Sequence, residues 1–521
     1  MDTHQTALKS NHLLLSMRDH IHDQLASSKT PKSFTLRQLF ASIPRTPRTT
    51  PQVTPLHSVF VSKPDCPENQ VGKNYTTAPN FHSQIEDWLP ITESRKGNVC
   101  YAAFHTINSG MGFQSLVLPL SFTTLGWSWG IVCLCIAFMW QLYTTWLLIQ
   151  MHEAVPGRRY SRYLQLAKVA FGEKAGKLLT LFPLGYLSGG ACVCMAIMAG
   201  STMKLLVHIM SGPKQQSLTT IEWSLVFLCF AILIAQLPNL NSIAWISILG
   251  AITTTTYLTL IWAISVTKNR PVTISHEPIE ENSSVERVFS TLNAIGVIAF
   301  AFRGHNLVLE IQGTLPSNEK CPSRETMWRG VKFAYVVIGM CLLPLTICGY
   351  WAYGNQASKQ MNADGTMLST LLCVHGRDTS RLLLGFTALF VVVSYVCGFQ
   401  IYAMPVFDNL EFAYTTRKNK PCPWWVRSGF RALFGCLVFL IAVAIPFLPS
   451  LSGLIGGIAL PVTLAYPCFM WNVVKKPERP TIMWYLNWVL GVLGMILSLL
   501  VVSGGIWGIV VKGLDVRFFK P

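Results

Sequence analysis

Two stretches put chemically capable groups inside long apolar runs. Phe300–Asn306 reads FAFRGHN and sets Arg303, Gly304 and His305 among Ile, Val, Ala and Phe. Ile107–Pro119 reads INSGMGFQSLVLP and carries Asn108, Gly110, Gly112, Phe113 and Gln114. Glycine and polar residues at such depth predict a break in a helix. A break leaves amides and carbonyls without helical partners; amides at a half-helix N-terminus suit a carboxylate, and free carbonyls suit an ammonium. A zwitterion needs both. Taken alone, the glycines are better explained by close helix packing. Arg303 and His305 shift the balance. An arginine at a membrane helix centre costs about 2.5–3.5 kcal/mol on insertion scales, so Arg303 is expected to face a wet cavity or a counter-charge. A histidine titrates at about pH 6.5, so His305 is the candidate to bind or release a proton. Glu310, near the end of the same run, reads as readily as an exposed or capping carboxylate as part of a gate.

The elements that hold these residues follow from composition. The chain has 521 residues, 51% hydrophobic and 12% charged, against roughly 25% charged in soluble proteins. Eleven apolar runs follow Lys96, at about 98–119, 129–151, 178–204, 222–240, 243–266, 289–311, 331–354, 381–410, 429–447, 451–472 and 482–511. All are expected to be helices, because hydrocarbon leaves backbone groups no other partners. The sequence therefore predicts an all-α polytopic membrane protein of about eleven transmembrane helices. The two breaks lie in the first and sixth runs. Five is odd, so the second half enters the membrane in the opposite sense. That predicts an inverted repeat, 98–266 and 289–472, with 482–511 as an extra helix. Paired breaks at matching positions are the sequence mark of a transporter's binding site.

Residues 1–97 differ from the rest and are expected to form a disordered cytosolic tail ahead of a transmembrane domain, 98–521. The stretch 30–67 is rich in Pro, Ser and Thr, with Thr-Pro pairs at Thr30, Thr46, Thr50 and Thr54 beside Arg45 and Arg48. Such composition does not support a packed core, and phosphorylation there by a kinase would place negative charge beside the arginines. With the tail inside, the loops 152–177, 312–330, 411–428 and 473–481 carry 16 Lys and Arg, and the opposite loops 205–221, 267–288 and 355–380 carry 6. The positive-inside rule then sets the N-terminus in the cytosol and the C-terminus outside. The net charge of +17 is spread over tail and loops, which argues for membrane orientation and against nucleic acid. Cys192 and Cys194 form C-x-C inside an apolar run with no histidine cluster nearby, so no metal or other cofactor is expected. No H-E-x-x-H, G-x-S-x-G or Walker pattern is present, so the chain is not expected to be an enzyme.

Four segments carry a resemblance: FHTINSGMGFQSLVLPLSFTTLGW (Phe104–Trp127), MHEAVPGRRYSRYLQLAKVAFGEKAG (Met151–Gly176), FAFRGHNLVLEIQGTLPS (Phe300–Ser317) and GFQIYAMPVFDNLE (Gly398–Glu411). They resemble the amino acid/auxin permease family, above all its plant lysine/histidine transporter-like branch. The resemblance implies a LeuT-like 5+5 inverted repeat and proton-coupled uptake of amino acids; no sorting motif is evident, so the plasma membrane is the default expectation. His305 matches the family's histidine in the sixth-span break, at the substrate site; Gly304, Asn306, Glu310, Tyr402, Pro405 and Asp408 also match. The expected substrate-binding set is thus Asn108, Gly110, Gly112, Phe113, Gln114, Arg303, Gly304, His305 and Tyr402, with His305 carrying the proton. Three places in the chain depart from the family. Gly112-Phe113-Gln114 stands where G-A-G is common, Arg303 where glycine is usual, and Ser188 where relatives carry an acid. Arg303 leaves open a carrier of acidic amino acids or auxin-like carboxylates. The long tail and altered breaks leave open a membrane sensor that binds its ligand without moving it.

Overall fold

A computed structural model describes residues 85–512 except 213–217, 238–241, 270–273, 280–282, 303, 357–365, 448–450 and 477–480. Arg303 and the Thr-Pro pairs of the tail lie outside the described residues, which contain helices and no strand.

The first half begins with α1 (Val99–Gly110), which starts on Asn98, whose side-chain oxygen accepts the Tyr101 N–H at 2.9 Å. The backbone is extended at Met111, turns once as a 3₁₀ helix over Phe113–Val117, and resumes as α2 (Pro119–Met151), with proline where no amide partner is needed. A kink at Gly126 folds α2 into the remainder of the first span and the whole of the second. After α3 (Tyr163–Phe171), the third span is built from α4 (Glu173–Gly185), a π turn at Tyr186–Gly190 and α5 (Ala191–Ser211). Then come α6 (Thr220–Ile234), with a Thr219/Glu222 capping box, and α7 (Ala244–Thr267). The second half runs α8 (Ser284–Ala301), α9 (His305–Gly313), α10 (Ser323–Tyr353), α11 (Met367–His375), α12 (Arg381–Lys418) and α13 (Trp424–Ala444). Its last span is α14 (Ser452–Leu460), a π turn at Pro461–Ala465 and α15 (Tyr466–Lys475); α16 (Ile482–Lys512) follows.

Among the described residues, nine helices are long and apolar enough to cross a membrane. Two of the eleven expected spans are not among them as single helices. The first is interrupted at Met111, and the run expected at 222–240 is helical only over the 15 residues of α6.

The halves pack by matching rules. α1 packs on α7, the fifth span, and α8 packs on α14 of the tenth. α1 also lies against α10, the seventh span, and α8 against α2, the second. These reciprocal contacts are what two inverted five-span repeats produce. α16 covers α8 and α14 from outside. The α8–α14 approach is backbone to backbone: a Cβ on Gly456 would fall 1.9 Å from the Gly296 carbonyl oxygen. Only glycine allows that contact.

One boundary differs from the sequence expectation. Residues 85–97, expected to belong to the tail, pack onto the helices. Ile85, Leu89 and Ile91 are buried, and the Ile91 N–H donates to Asp408 of α12 at 3.2 Å. Glu86 pairs with Arg95 at 2.8 Å. Three buried aliphatic side chains in thirteen residues are too few to stand out in a sequence profile, yet they suffice once a helix bundle offers them a surface.

Removal of residues 1–84 is therefore expected to leave a monodisperse protein with an unchanged melting temperature in detergent. Removal through residue 97 strips those buried side chains and is expected to cost about 2–5 kcal/mol, on the scale of one to three buried aliphatic side chains. Equal melting curves for the two truncations would contradict the boundary at 85.

Candidate functional site

The two breaks meet. α8 ends at Ala301, Phe302 leaves helical geometry, and Gly304 restarts the chain at φ +118° and ψ −7° as the N-cap of α9. That backbone conformation disfavours any side chain, and a Cβ there would sit 3.2 Å from Ser109 Oγ at the end of α1. Between the breaks lies a cavity of about 20 Å³, room for about one water molecule. Thr106, Ser109 and Gly110 of α1 form one wall; Phe302, Gly304 and His305 form the facing wall. Thr145 of α2 and Tyr335 and Ile338 of α10 complete it. An amino acid does not fit this volume, so the walls are closed against a ligand of that size.

His305 is held from α2. Its Nε2 is 3.0 Å from the Gln141 carbonyl oxygen, which only accepts, so Nε2 carries a proton and donates it. The Thr144 and Thr145 hydroxyls also lie 3.0 Å from Nε2, and Thr145 is 3.0 Å from the Tyr335 hydroxyl. Nδ1 is buried without a partner among the described residues. Neighbouring Asn306 donates to Ser188 Oγ at 3.1 Å, and its Oδ1 is likewise buried and unpartnered. Ser188 thus faces the sixth-span break from the π turn of the third span, at the position where the resemblance expects an acid.

The other expected site residues are placed unevenly. Gly110, Gly304 and His305 line the cavity; Asn108, Gly112, Phe113, Gln114 and Tyr402 do not. Asn108 points to α7, where its amide is the nearest neighbour of Gly250, and neither amide atom has a partner among the described residues. Phe113 meets Phe300 of α8 edge-on, ring centroids 5.6 Å apart. Gln114 folds back over Gly112. The Tyr402 hydroxyl of α12 donates to the Ser109 carbonyl at 2.5 Å, and the Tyr257 hydroxyl of α7 donates to the Gly112 carbonyl at 3.4 Å.

Sequence reading missed Gln141, Thr144, Thr145 and Tyr335. The signal existed for the first three: their i, i+3, i+4 spacing puts three polar groups on one face of an apolar helix. It also missed α11, whose buried face packs on the 3₁₀ turn of the first break and on α7, and residues 274–279, which cover the Gly126 kink through an Ile279 N–H to the Thr123 carbonyl at 3.0 Å.

The face carrying residues 85–97 is sealed by charge. Arg162 grips Asp408 through Nε at 2.5 Å and Nη2 at 3.3 Å. Glu86 lies 3.9 Å from Arg162. Burial works against the Arg162 charge, but Asp408, with Glu86 and Glu310 adding, outweighs it and holds the guanidinium above its usual value. Glu310 of α9 accepts the Tyr163 N–H at 3.2 Å. His152 is not a switch in this seal: burial, then Arg159 and Arg95, hold it well below the usual imidazole range.

Residues 95–511 match the family described as transmembrane amino acid transporter protein. Lysine histidine transporter-like 8 of Arabidopsis thaliana is 55% identical over 436 residues, 83% of this chain and 83% of that protein. Lysine histidine transporter-like 7 of the same plant is 45% identical over 440 residues, 84% of this chain and 90% of that protein. A solved Na⁺-coupled sialic acid symporter, substrate-bound and outward-open, aligns with a TM-score of 0.48 at 10% identity over 82% of this chain and 93% of that one.

Two substitutions test the closed geometry. Tyr402→Phe leaves the Ser109 carbonyl buried without its donor and is expected to destabilise the purified protein by about 1–3 kcal/mol. Gly304→Ala forces a side chain into a left-handed conformation, a cost of about 1–3 kcal/mol, against Ser109. A melting temperature unchanged in both variants would mean that the breaks are not held as described.

Proposed function

The chain belongs to the transmembrane amino acid transporter family, and on that premise we propose that it is a secondary active transporter importing amino acids together with protons. One observation carries this reading. Two helix breaks from opposite halves meet at a small cavity, and the imidazole on its wall, His305, keeps one ring nitrogen buried without a partner among the described residues. A group of that kind has a position open for a proton or for a substrate ammonium. The break amides of the first span, at Gly112, Phe113 and Gln114, would take the substrate carboxylate once the cavity opens.

Arg303 favours a second reading of the substrate. It stands in the sequence between Phe302 and Gly304, both on the cavity wall. A fixed positive charge there selects acidic amino acids or other carboxylates over neutral substrates. We place the protein in the plasma membrane, with the face sealed by Arg162 and Asp408 toward the cytosol and the C-terminus outside. A kinase acting on the Thr-Pro tail is a further proposed partner.

The test is uptake of labelled amino acids and an auxin by the full chain in liposomes. Acid outside and neutral inside, without sodium, is expected to drive accumulation. Robust uptake from a sodium gradient at equal pH, with none from the pH gradient, would overturn proton coupling. Saturable binding without accumulation under either gradient would turn the reading to a sensor. His305→Ala is expected to cut uptake of every substrate by about ten- to a hundredfold, the worth of one hydrogen bond to a charged group. Arg303→Gly is expected to weaken acidic substrates relative to neutral ones. An unchanged substrate ranking would remove Arg303 from the selectivity argument.

A further inference from the structure

A groove of about 590 Å³, far larger than the central cavity, opens on the outer flank of the second and seventh spans. Its walls are Phe138 and Leu142 of α2 and Lys332, Tyr335, Val336 and Met340 of α10, with Gly339 at its floor. The volume falls within the roughly 300–1,000 Å³ of small-molecule sites. Along α10 the groove covers residues 332–344, about 18 Å at 1.5 Å per residue, close to one leaflet of a hydrocarbon core about 30 Å thick.

Its one charge is out of place for a purely apolar surface. Lys332 is exposed and has no anionic partner among the described residues. Its neighbours on that flank, Phe333, Val336 and Met340, are 56%, 61% and 69% exposed, as lipid-facing side chains are. A lysine among them is costly unless its ammonium snorkels to the membrane interface, where lipid phosphates lie. Arg324 and Arg329 are exposed nearer the start of the same helix. Glu325 stands four residues before Arg329, the spacing of a helical ion pair, so the edge stays net positive.

The groove and the central cavity share a wall. Tyr335 lines both. Its hydroxyl lies 3.0 Å from Thr145, which lies 3.0 Å from His305 Nε2. Phe138 packs its ring 5.6 Å from Tyr335 and 5.7 Å from Phe302 at the sixth-span break.

We propose that this groove binds an anionic glycerophospholipid, its phosphate on Lys332 and one acyl chain along Phe138, Val336 and Met340, and that the bound chain holds Tyr335 against Thr145. The binding claim stands without the transport reading; the effect on uptake rests on it.

The full chain in mixed micelles is offered palmitoyl-oleoyl phosphatidylglycerol and phosphatidylcholine in equal amounts, and retained lipid is counted by native mass spectrometry. Phosphatidylglycerol is expected to be retained preferentially. Lys332→Gln is expected to weaken that retention about fivefold, the worth of one basic side chain at an anionic lipid surface, and Lys332→Arg to restore it. Gly339→Leu, which fills the floor while leaving the charge, is expected to displace the lipid. Equal retention of the two lipids, or retention indifferent to both Lys332→Gln and Gly339→Leu, would overturn the site. Displacement by inorganic phosphate alone would mean an anion without a chain and would overturn the lipid assignment. In liposomes, added phosphatidylglycerol is expected to change the uptake rate of the wild type and not of Gly339→Leu; identical responses would overturn the link through Tyr335. Lipid preference intact in a protein that takes up nothing would uphold the site and count against the transport function.

Discussion

Breaking a helix inside hydrocarbon frees backbone carbonyls that water does not reach, and each needs another donor. Buried tyrosines supply it here. Tyr402 serves the Ser109 carbonyl at 2.5 Å, Tyr257 the Gly112 carbonyl at 3.4 Å, and Tyr163 the Val462 carbonyl in the π turn of the tenth span at 2.8 Å. Tyrosine suits the task because its ring packs among apolar side chains while its hydroxyl reaches the backbone. Two of the three bonds cross between the halves. Tyr402, in the second repeat, holds the break of the first; Tyr163, in the first, holds the tenth span of the second. The irregular segments that make a site possible are thereby what tie the repeats together.

The same helices carry the site and the seal. On α12, Tyr402 and Asp408 are six residues apart, about 9 Å along the axis, so the bond to the first-span break and the grip of Arg162 ride on one helix, with Pro405 between them. On α9, His305 stands at the cavity, while Glu310 and the Gln312 carbonyl meet Tyr163 and Arg159 at the seal. A movement that separates Arg162 from Asp408 therefore pulls on the elements that hold Ser109 and His305. Packed interfaces of this kind move between discrete arrangements. Tilting α9 or α12 would strain bonds at both ends.

What was legible in the sequence followed from depth and polarity. Gly110, Gly112 and Gly304 stood out because glycine and polar residues interrupted apolar runs, and their spacing implied two inverted halves before any contact was known. Features that depend on a partner from elsewhere were not legible. The Gly126 kink is covered by residues 274–279, far along the chain, and α11 sits in a loop whose only requirement was to be outside the hydrocarbon. Ile85, Leu89 and Ile91 look like an ordinary polar-rich segment until the helices beneath them are present. Depth alone did not give side-chain direction. Asn108 and Phe113 belong to the first break, but the helical twist turns Asn108 to Gly250 and the 3₁₀ turn sends Phe113 onto Phe300. Sequence position marks the break; the register of the broken helix decides which side chains face the cavity.

The closed arrangement holds polar groups whose hydrogen bonds are unmade. Among the described residues, both amide atoms of Asn108, Oδ1 of Asn306 and Nδ1 of His305 are buried without partners. A buried polar atom left without any partner costs about 1–3 kcal/mol, so each of these atoms is a position where a water or a ligand group gains by binding. A ligand shifts an equilibrium between two forms only by the difference in its affinity for them. Of these atoms only His305 Nδ1 belongs to a residue lining the 20 Å³ cavity, so a ligand that reached it would gain that bond only in a form wide enough to admit it. Under the proposed transport reading, a zwitterion that brought donors and acceptors to the breaks would favour such a form. An apolar lining would seal the closed form better, but it would give a charged ligand nothing by which to prefer the open one.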